Sequence, residues 1–340
     1  MTEAELKQHI KDGPRGLYLL YGEESYLVEQ YARLLARQAV EEGFDAFNLQ
    51  RFDGQDMTVE ALEEAVEALP LMAERKCVTV RDLDAAGPDA ARLLTLIDNL
   101  PDTCVLVVWQ MTLQPDKKAA WKTFLEHANK VGTVVCFERK EAADIAKMLV
   151  SGAKRRGCVL SGEDARYLIR QAGNDLYLLL GELDKLCALA EDGVVTRAVI
   201  DRAATRSLEA KVYDLSKAIL AQRTGDAFRL LHQLFALREQ PLVVLGALSN
   251  AYADLYRAKV AQADGQDAAA LAKVFKTYRG KEWKLTNALR DARRLSVETL
   301  RESLEILAAT DTALKSSAAD DRVMLEQTVA RLCELTRRQA

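Results

Sequence analysis

At 340 residues, 49% of them apolar and 29% charged, the chain exceeds what one ordinary core organises and fits two or three globular domains. Its low Pro and Gly content excludes a long disordered tract. The formal net charge of −4 excludes a global basic field, so any nucleic-acid contact has to rest on a local patch.

The opening Met1-Thr2-Glu3-Ala4-Glu5 is acidic and has no apolar h-region, and the longest apolar runs, such as Cys104 to Trp109, are too short to span a bilayer. A cytoplasmic protein with no membrane partner is expected. Short β-rich runs then alternate with helical patterns over the first 140 residues, with strands expected at Leu17–Tyr21, Phe47–Phe52, Cys77–Arg81, Cys104–Trp109 and Thr133–Phe137. Between them, apolar stripes at helical spacing (Leu27, Tyr31, Leu34, Leu35; Val59, Leu62, Val66, Leu69; Trp121, Phe124, Leu125, Ala128) mark covering helices, each stripe expected to be core. Alternation of this kind predicts an α/β domain built on a parallel sheet.

After Arg139 the strand signal stops and the pattern is helical to the end. Ser161-Gly162-Glu163-Asp164 and Thr196 read as helix caps in a small helical unit over 141–208. Longer helices follow over 209–340, with a stripe at Val212, Leu215 and Ile219, Pro241 at a helix start, and Ser296 ahead of Leu300, Leu304 and Leu307. The fold class is therefore an N-terminal α/β domain followed by all-α domains.

A parallel α/β domain invites a nucleotide, and the place for it is Tyr21-Gly22-Glu23-Glu24-Ser25-Tyr26, after the first strand. A phosphate loop needs several glycines and a Lys followed by Ser or Thr; this segment has one Gly, and two carboxylates where phosphate would sit. Val78-Thr79-Val80-Arg81-Asp82 is a strand ending in an acid, more simply a turn-initiating Asp than a metal ligand in the absence of a phosphate loop. His9, His127 and His232 are far apart, no metalloprotease or nucleophile-elbow spacing occurs, and the six cysteines form no close pair. No catalytic residue, metal or cofactor is assigned, which leaves a nucleotide hydrolase with an unrecognised site as the weaker reading.

Two segments carry binding potential. In Pro70-Leu71-Met72-Ala73-Glu74-Arg75-Lys76, Pro70 disfavours helix at Leu69, so Leu71 and Met72 fall at a break, where they either pack inward as a plug or project as an anchor into a partner's pocket. In Lys273 to Lys284, the residues Phe275, Lys276, Arg279 and Lys281 interleave aromatics with basic groups, either tracking a nucleic-acid strand or forming a solvated face with the aromatics turned in. Lys154-Arg155-Arg156 is explained by a helix C-terminus.

Leu17-Tyr18-Leu19-Leu20-Tyr21-Gly22-Glu23-Glu24-Ser25-Tyr26-Leu27, Leu69-Pro70-Leu71-Met72-Ala73-Glu74-Arg75-Lys76, Gly173-Asn174-Asp175-Leu176 with Glu182-Leu183-Asp184-Lys185-Leu186, and Asp311-Thr312-Ala313-Leu314-Lys315 together resemble the delta family of bacterial DNA polymerase III clamp loaders. The matches are short but run in order over nearly the whole chain. The resemblance implies an AAA+-like α/β domain without a functional phosphate loop (1–140), a helical lid (141–208) and a helical collar that joins a hetero-oligomer (209–340). It also implies a subunit without catalysis of its own. Such a subunit binds and opens the sliding clamp (beta subunit), working with the delta prime and tau/gamma subunits on primed DNA during replication. In the family an adjacent hydrophobic pair enters a pocket on the clamp, and Leu71 and Met72 stand in that place; many relatives have Phe at the second position, so Met72 is a departure that keeps an apolar anchor. The competing reading is a stand-alone DNA-binding protein.

Overall fold

The computed structural model describes residues 1–116, 119–275, 278, 282–316 and 319–338, which form two compact units, Met1–Arg139 and Lys140–Ala340. In the first unit five strands, β1 (Gly16–Tyr21), β2 (Leu49–Asp53), β3 (Lys76–Arg81), β4 (Cys104–Trp109) and β5 (Gly132–Cys136), form one parallel sheet in the order β2-β3-β4-β1-β5. The three central strands are nearly continuous apolar runs and are buried along their length, as a sheet covered on both faces requires. The helices of this unit are α1 (Glu3–Lys11), α2 (Ser25–Ala39), a single turn α3 (Asp45–Asn48), α4 (Val59–Glu67), α5 (Ala90–Asp98) and α6 (Ala119–Val131).

One face of the sheet presents Leu17, Leu19, Val78, Val80, Leu106 and Val108 to the stripes of α4, α5 and α6, including Leu62, Val66, Leu93, Ile97, Trp121 and Phe124. The opposite face is covered by α2, whose Leu27, Val28, Tyr31 and Leu35 are buried. The first helix opens with a capping box, in which Thr2 and Glu5 exchange hydrogen bonds, and Glu3 then accepts from the Tyr31 hydroxyl of α2.

In this unit three expectations need correction. The run expected as a strand from Phe47 begins as the turn α3, and pairing starts only at Leu49, opposite Cys77. Leu69 does not complete the α4 stripe: the helix ends at Glu67, Pro70 follows, and the Leu69 side chain is 84% exposed. Leu34 also lies on the solvent side of α2, so its stripe is narrower than expected.

The second unit holds α7 (Ala142–Arg155), α8 (Gly162–Ala172), α9 (Leu176–Leu189) and α10 (Arg197–Ala203), then α11 (Leu208–Leu220), α12 (Thr224–Ala236), α13 (Pro241–Ala263), α14 (Ala268–Val274), α15 (Glu282–Asp291), α16 (Val297–Ser316) and α17 (Asp321–Arg337). It is not wholly helical: β6 (Val159–Leu160) and β7 (Val194–Val195) form a two-residue parallel ladder too short to leave a periodic signal. Ser161, Thr196 and Ser296 accept hydrogen bonds from backbone N–H groups at the starts of α8, α10 and α16, and Pro241 occupies the first turn of α13. One core runs from Val212 and Leu215 through Tyr252 and Leu300 to Val329 and draws on α11–α13 and α15–α17, while Leu271 of α14 packs in a separate cluster with Tyr278 and Leu285. Among the described residues no helix is long and apolar enough to cross a membrane.

Candidate functional site

The segment joining α4 to β3 presents its apolar side chains to solvent and is fastened at three points. Before it, α4 is capped at its start by Thr58, whose hydroxyl accepts from the Ala61 N–H, and at its end by Ala68, where the backbone leaves the helical conformation. The buried Lys76 ammonium then donates to the carbonyls of Ala65 and Ala68, satisfying acceptors that a helix C-terminus leaves open. Burial holds the Lys76 pKa below the usual lysine range. At its far end, the Arg75 guanidinium donates to the Pro14 carbonyl at 3.3 Å.

In the middle, Asn48 reaches across from α3. Its Oδ1 accepts from the Leu71 N–H at 2.7 Å and its Nδ2 donates to the Leu71 carbonyl at 2.8 Å. The Asn48 side chain is 2% exposed, whereas Leu71 is 50% and Met72 81% exposed, so the polar tether is inside and the apolar pair outside. Met72 has φ +51°, a left-handed backbone that methionine rarely adopts. Phe47, the neighbour of Asn48, is also 63% exposed. Leu71 and Met72 face solvent and do not pack inward as a plug.

The carboxyl ends of the strands, where an open α/β sheet receives a ligand, are closed by the chain itself. The Gly22 N–H donates to Gln114 Oε1 at 3.0 Å and the Glu24 N–H to the Phe137 carbonyl at 3.0 Å, so two amides of the β1–α2 turn are spent on protein partners. A Cβ on Gly22 would lie 2.3 Å from the Phe137 carbonyl oxygen, and the Phe137 ring stacks on Tyr31 with centroids 5.2 Å apart. Asp82, the acid ending β3, is also committed: Oδ1 accepts from the N–H groups of Met111, Thr112 and Leu113 (2.6, 2.8 and 3.1 Å), and Oδ2 accepts from the Thr112 hydroxyl at 2.9 Å. Burial by itself raises the Asp82 pKa, and these four donors outweigh it and hold the carboxyl below its ordinary range. Asp82 is a clasp between the ends of β3 and β4, with both oxygens occupied.

His127 faces Asp98 and His232 faces Glu326, each as a surface pair. Among the described residues no group of three or more His, Cys, Asp or Glu is placed to hold a metal ion, and all six cysteines are free thiols.

In the basic stretch, Lys276, Arg279 and Lys281 lie outside the described residues. Its aromatics are engaged by the protein: the Arg257 guanidinium sits 4.9 Å from the Phe275 ring centroid, and Phe275 meets Tyr278 edge-on at 6.1 Å. Tyr278 is buried with Leu271 and Leu285, and its hydroxyl bonds Asp254 and accepts from Arg257 at 2.7 Å. Sequence pattern identified the exposed pair but not the tether. Asn48 looked like part of a strand, and nothing in a single sequence links it to Leu71.

The first unit is thus a parallel α/β domain whose β1–α2 turn is closed by the chain itself and which carries an exposed apolar loop fastened from inside, and the second unit is mainly helical. The family model described as DNA polymerase III, delta subunit, matches residues 18–135, and that described as DNA polymerase III delta subunit, C-terminal domain, matches residues 209–332. DNA polymerase III subunit delta of Bacillus subtilis (strain 168) is 23% identical over 323 residues, covering 91% of this chain and 90% of the relative. The subunit delta of Escherichia coli (strain K12) is 25% identical over 315 residues, covering 92% and 89%. The solved structure of the Bacillus subtilis DNA clamp loader delta protein superposes with a TM-score of 0.60 at 22% identity, over 97% of this chain and 99% of that one, and shares its fold. The chain belongs to the DNA polymerase III delta subunit family.

Proposed function

We propose that this chain is the clamp-opening component of a cytoplasmic clamp loader, binding the sliding clamp (beta subunit) through Leu71 and Met72. One observation carries this reading: two adjacent apolar side chains stand half and four-fifths exposed on a segment that Lys76, Asn48 and Arg75 fasten from inside. An apolar pair held out of the core on a fixed backbone suits a partner's apolar pocket, because little ordering remains to be done on binding. Motor subunits of the tau/gamma type supply ATP hydrolysis and delta prime completes the assembly. In this chain the turn amides and Asp82 are already occupied by protein groups, which supports a mechanical rather than a catalytic role.

Within the second unit we assign residues 141–208 to a lid and 209–340 to a collar that meets the other subunits. The Lys276, Arg279 and Lys281 cations are assigned to the phosphate backbone of primed DNA inside the assembled loader. Phe275 has one face covered by Arg257, so base stacking is not assigned to it.

The test is equilibrium binding of the purified chain to the cognate clamp, comparing wild type with the Leu71→Ala, Met72→Ala double variant after both are verified as folded. Each side chain contributes on the order of 1.5–3 kcal/mol when buried in a pocket, so the double variant binds about a hundredfold more weakly or worse. Retained affinity removes the pair from the contact. Absent wild-type binding turns the reading toward a stand-alone DNA-binding protein, for which tight, salt-sensitive DNA binding by the isolated chain is the mark.

A further inference from the structure

Asn48 is buried, lies outside every motif that carries the family resemblance, and spends its whole amide on one residue of the exposed loop. We infer that Asn48 is a positioning residue for clamp binding, fixing the backbone of Leu71 so that Leu71 and Met72 are presented in the bound arrangement before the clamp arrives. The inference rests on the clamp reading above and goes beyond it by assigning a residue that makes no contact of its own with the clamp.

The chemistry calls for asparagine. Leu71 offers one backbone donor and one acceptor, and an amide side chain answers both, as a neighbouring strand would. Because the two bonds hold the N–H and the carbonyl of the same residue, the peptide planes on both sides of Leu71 are fixed, including the one that leads into Met72 with its left-handed φ. Asn48 is itself well seated. It closes the turn α3, and the next residue, Leu49, enters the ladder opposite Cys77, so the tether runs from the edge of the sheet to the anchor. Aspartate at 48 would still accept from the Leu71 N–H, but it would set a carboxylate oxygen against the Leu71 carbonyl. Alanine would leave both backbone groups unanswered.

A loop that is ordered in advance does not lose that freedom on binding, so releasing it weakens affinity without removing any contact atom. Freeing even one residue's backbone corresponds to about tenfold in affinity. The experiment combines three readouts on the full chain: clamp affinity, hydrogen exchange of the amides from Leu69 to Ala73, and the effect of the substitution in the Leu71→Ala, Met72→Ala background. The variants are Asn48→Ala and Asn48→Asp, the second keeping the side-chain volume and one bond should the first fail to fold.

The expected result is faster exchange at Leu71 and Met72 with the core strands still protected, clamp binding about tenfold weaker, and no further loss when the apolar pair is already gone. That non-additivity is what action through the pair requires; a residue that merely supports the fold lowers stability and leaves the affinity of the folded fraction alone. Wild-type affinity in both variants, or an equal loss with and without the apolar pair, overturns the inference while leaving the clamp reading intact. Failure of wild type to bind the clamp overturns the clamp reading first and this inference with it.

Discussion

Met72 combines two features that cost stability, a left-handed backbone at φ +51° and a side chain 81% exposed. For a residue with a Cβ that conformation costs roughly 1–2 kcal/mol, and an exposed methionine gains little burial to offset it. Under the proposed function, the strain is kept because the side chain it presents serves the clamp contact. Glycine relieves it and removes the anchor in one change, so stability and binding should move in opposite directions. Met72→Gly is expected to leave the urea midpoint unchanged or raise it, while weakening clamp binding by about tenfold. A variant that unfolds more easily yet binds the clamp as well as wild type would show that the backbone at 72 matters and its side chain does not.

At the scale of elements, Asp82 fastens a loop of the sheet with its side chain. Its four donors tie the end of β3 to residues 111–113 beyond β4, and Arg81 Nε adds a cation 3.4 Å away. Because these bonds hold the folded-state pKa below the unfolded value, Asp82 contributes stability that is fully present above about pH 4 and is lost as pH falls through the folded value. Asp82→Asn keeps the shape and removes the charge. At neutral pH it should cost on the order of 1–3 kcal/mol, and the gap between variant and wild type in denaturant unfolding should close as the pH is lowered below about 4. A gap that stays constant across that range would mean the charge is not what the loop uses.

The same scale explains what could be read from the sequence. The central strands were legible as short apolar runs, and the stripe of α6 and that of α4 up to Val66 as repeats at helical spacing. Leu71 and Met72 were legible as a candidate because Pro70 breaks the helix before them. Asn48 was not, because its partner lies 23 residues away, and its own neighbourhood alternates like a strand although it closes a helical turn. The β6–β7 ladder was invisible for a simpler reason: two residues on each side are shorter than any period. The acid ending β3 was read as a turn former, and its position did not reveal the three backbone amides that converge on it.

For the whole molecule the formal net charge of −4 gives no global attraction for a nucleic acid, so under the proposed function a DNA contact has to rest on a local group of cations. Lys276, Arg279 and Lys281 are such a group in sequence, and Tyr278, the described residue between them, is buried. Each cation that neutralises a phosphate releases counterions, and that release is what salt competes with. Replacing all three by glutamate should therefore lower the slope of log affinity against log salt for the assembled loader on primed DNA by about 2 to 3, with clamp binding by the isolated chain unaffected. The isolated chain should bind DNA weakly with or without the substitutions, since the patch alone is small. A slope that does not change in the assembled loader would assign these cations to the solvated surface, and tight binding by the isolated chain would transfer the DNA contact from the assembly to the chain itself.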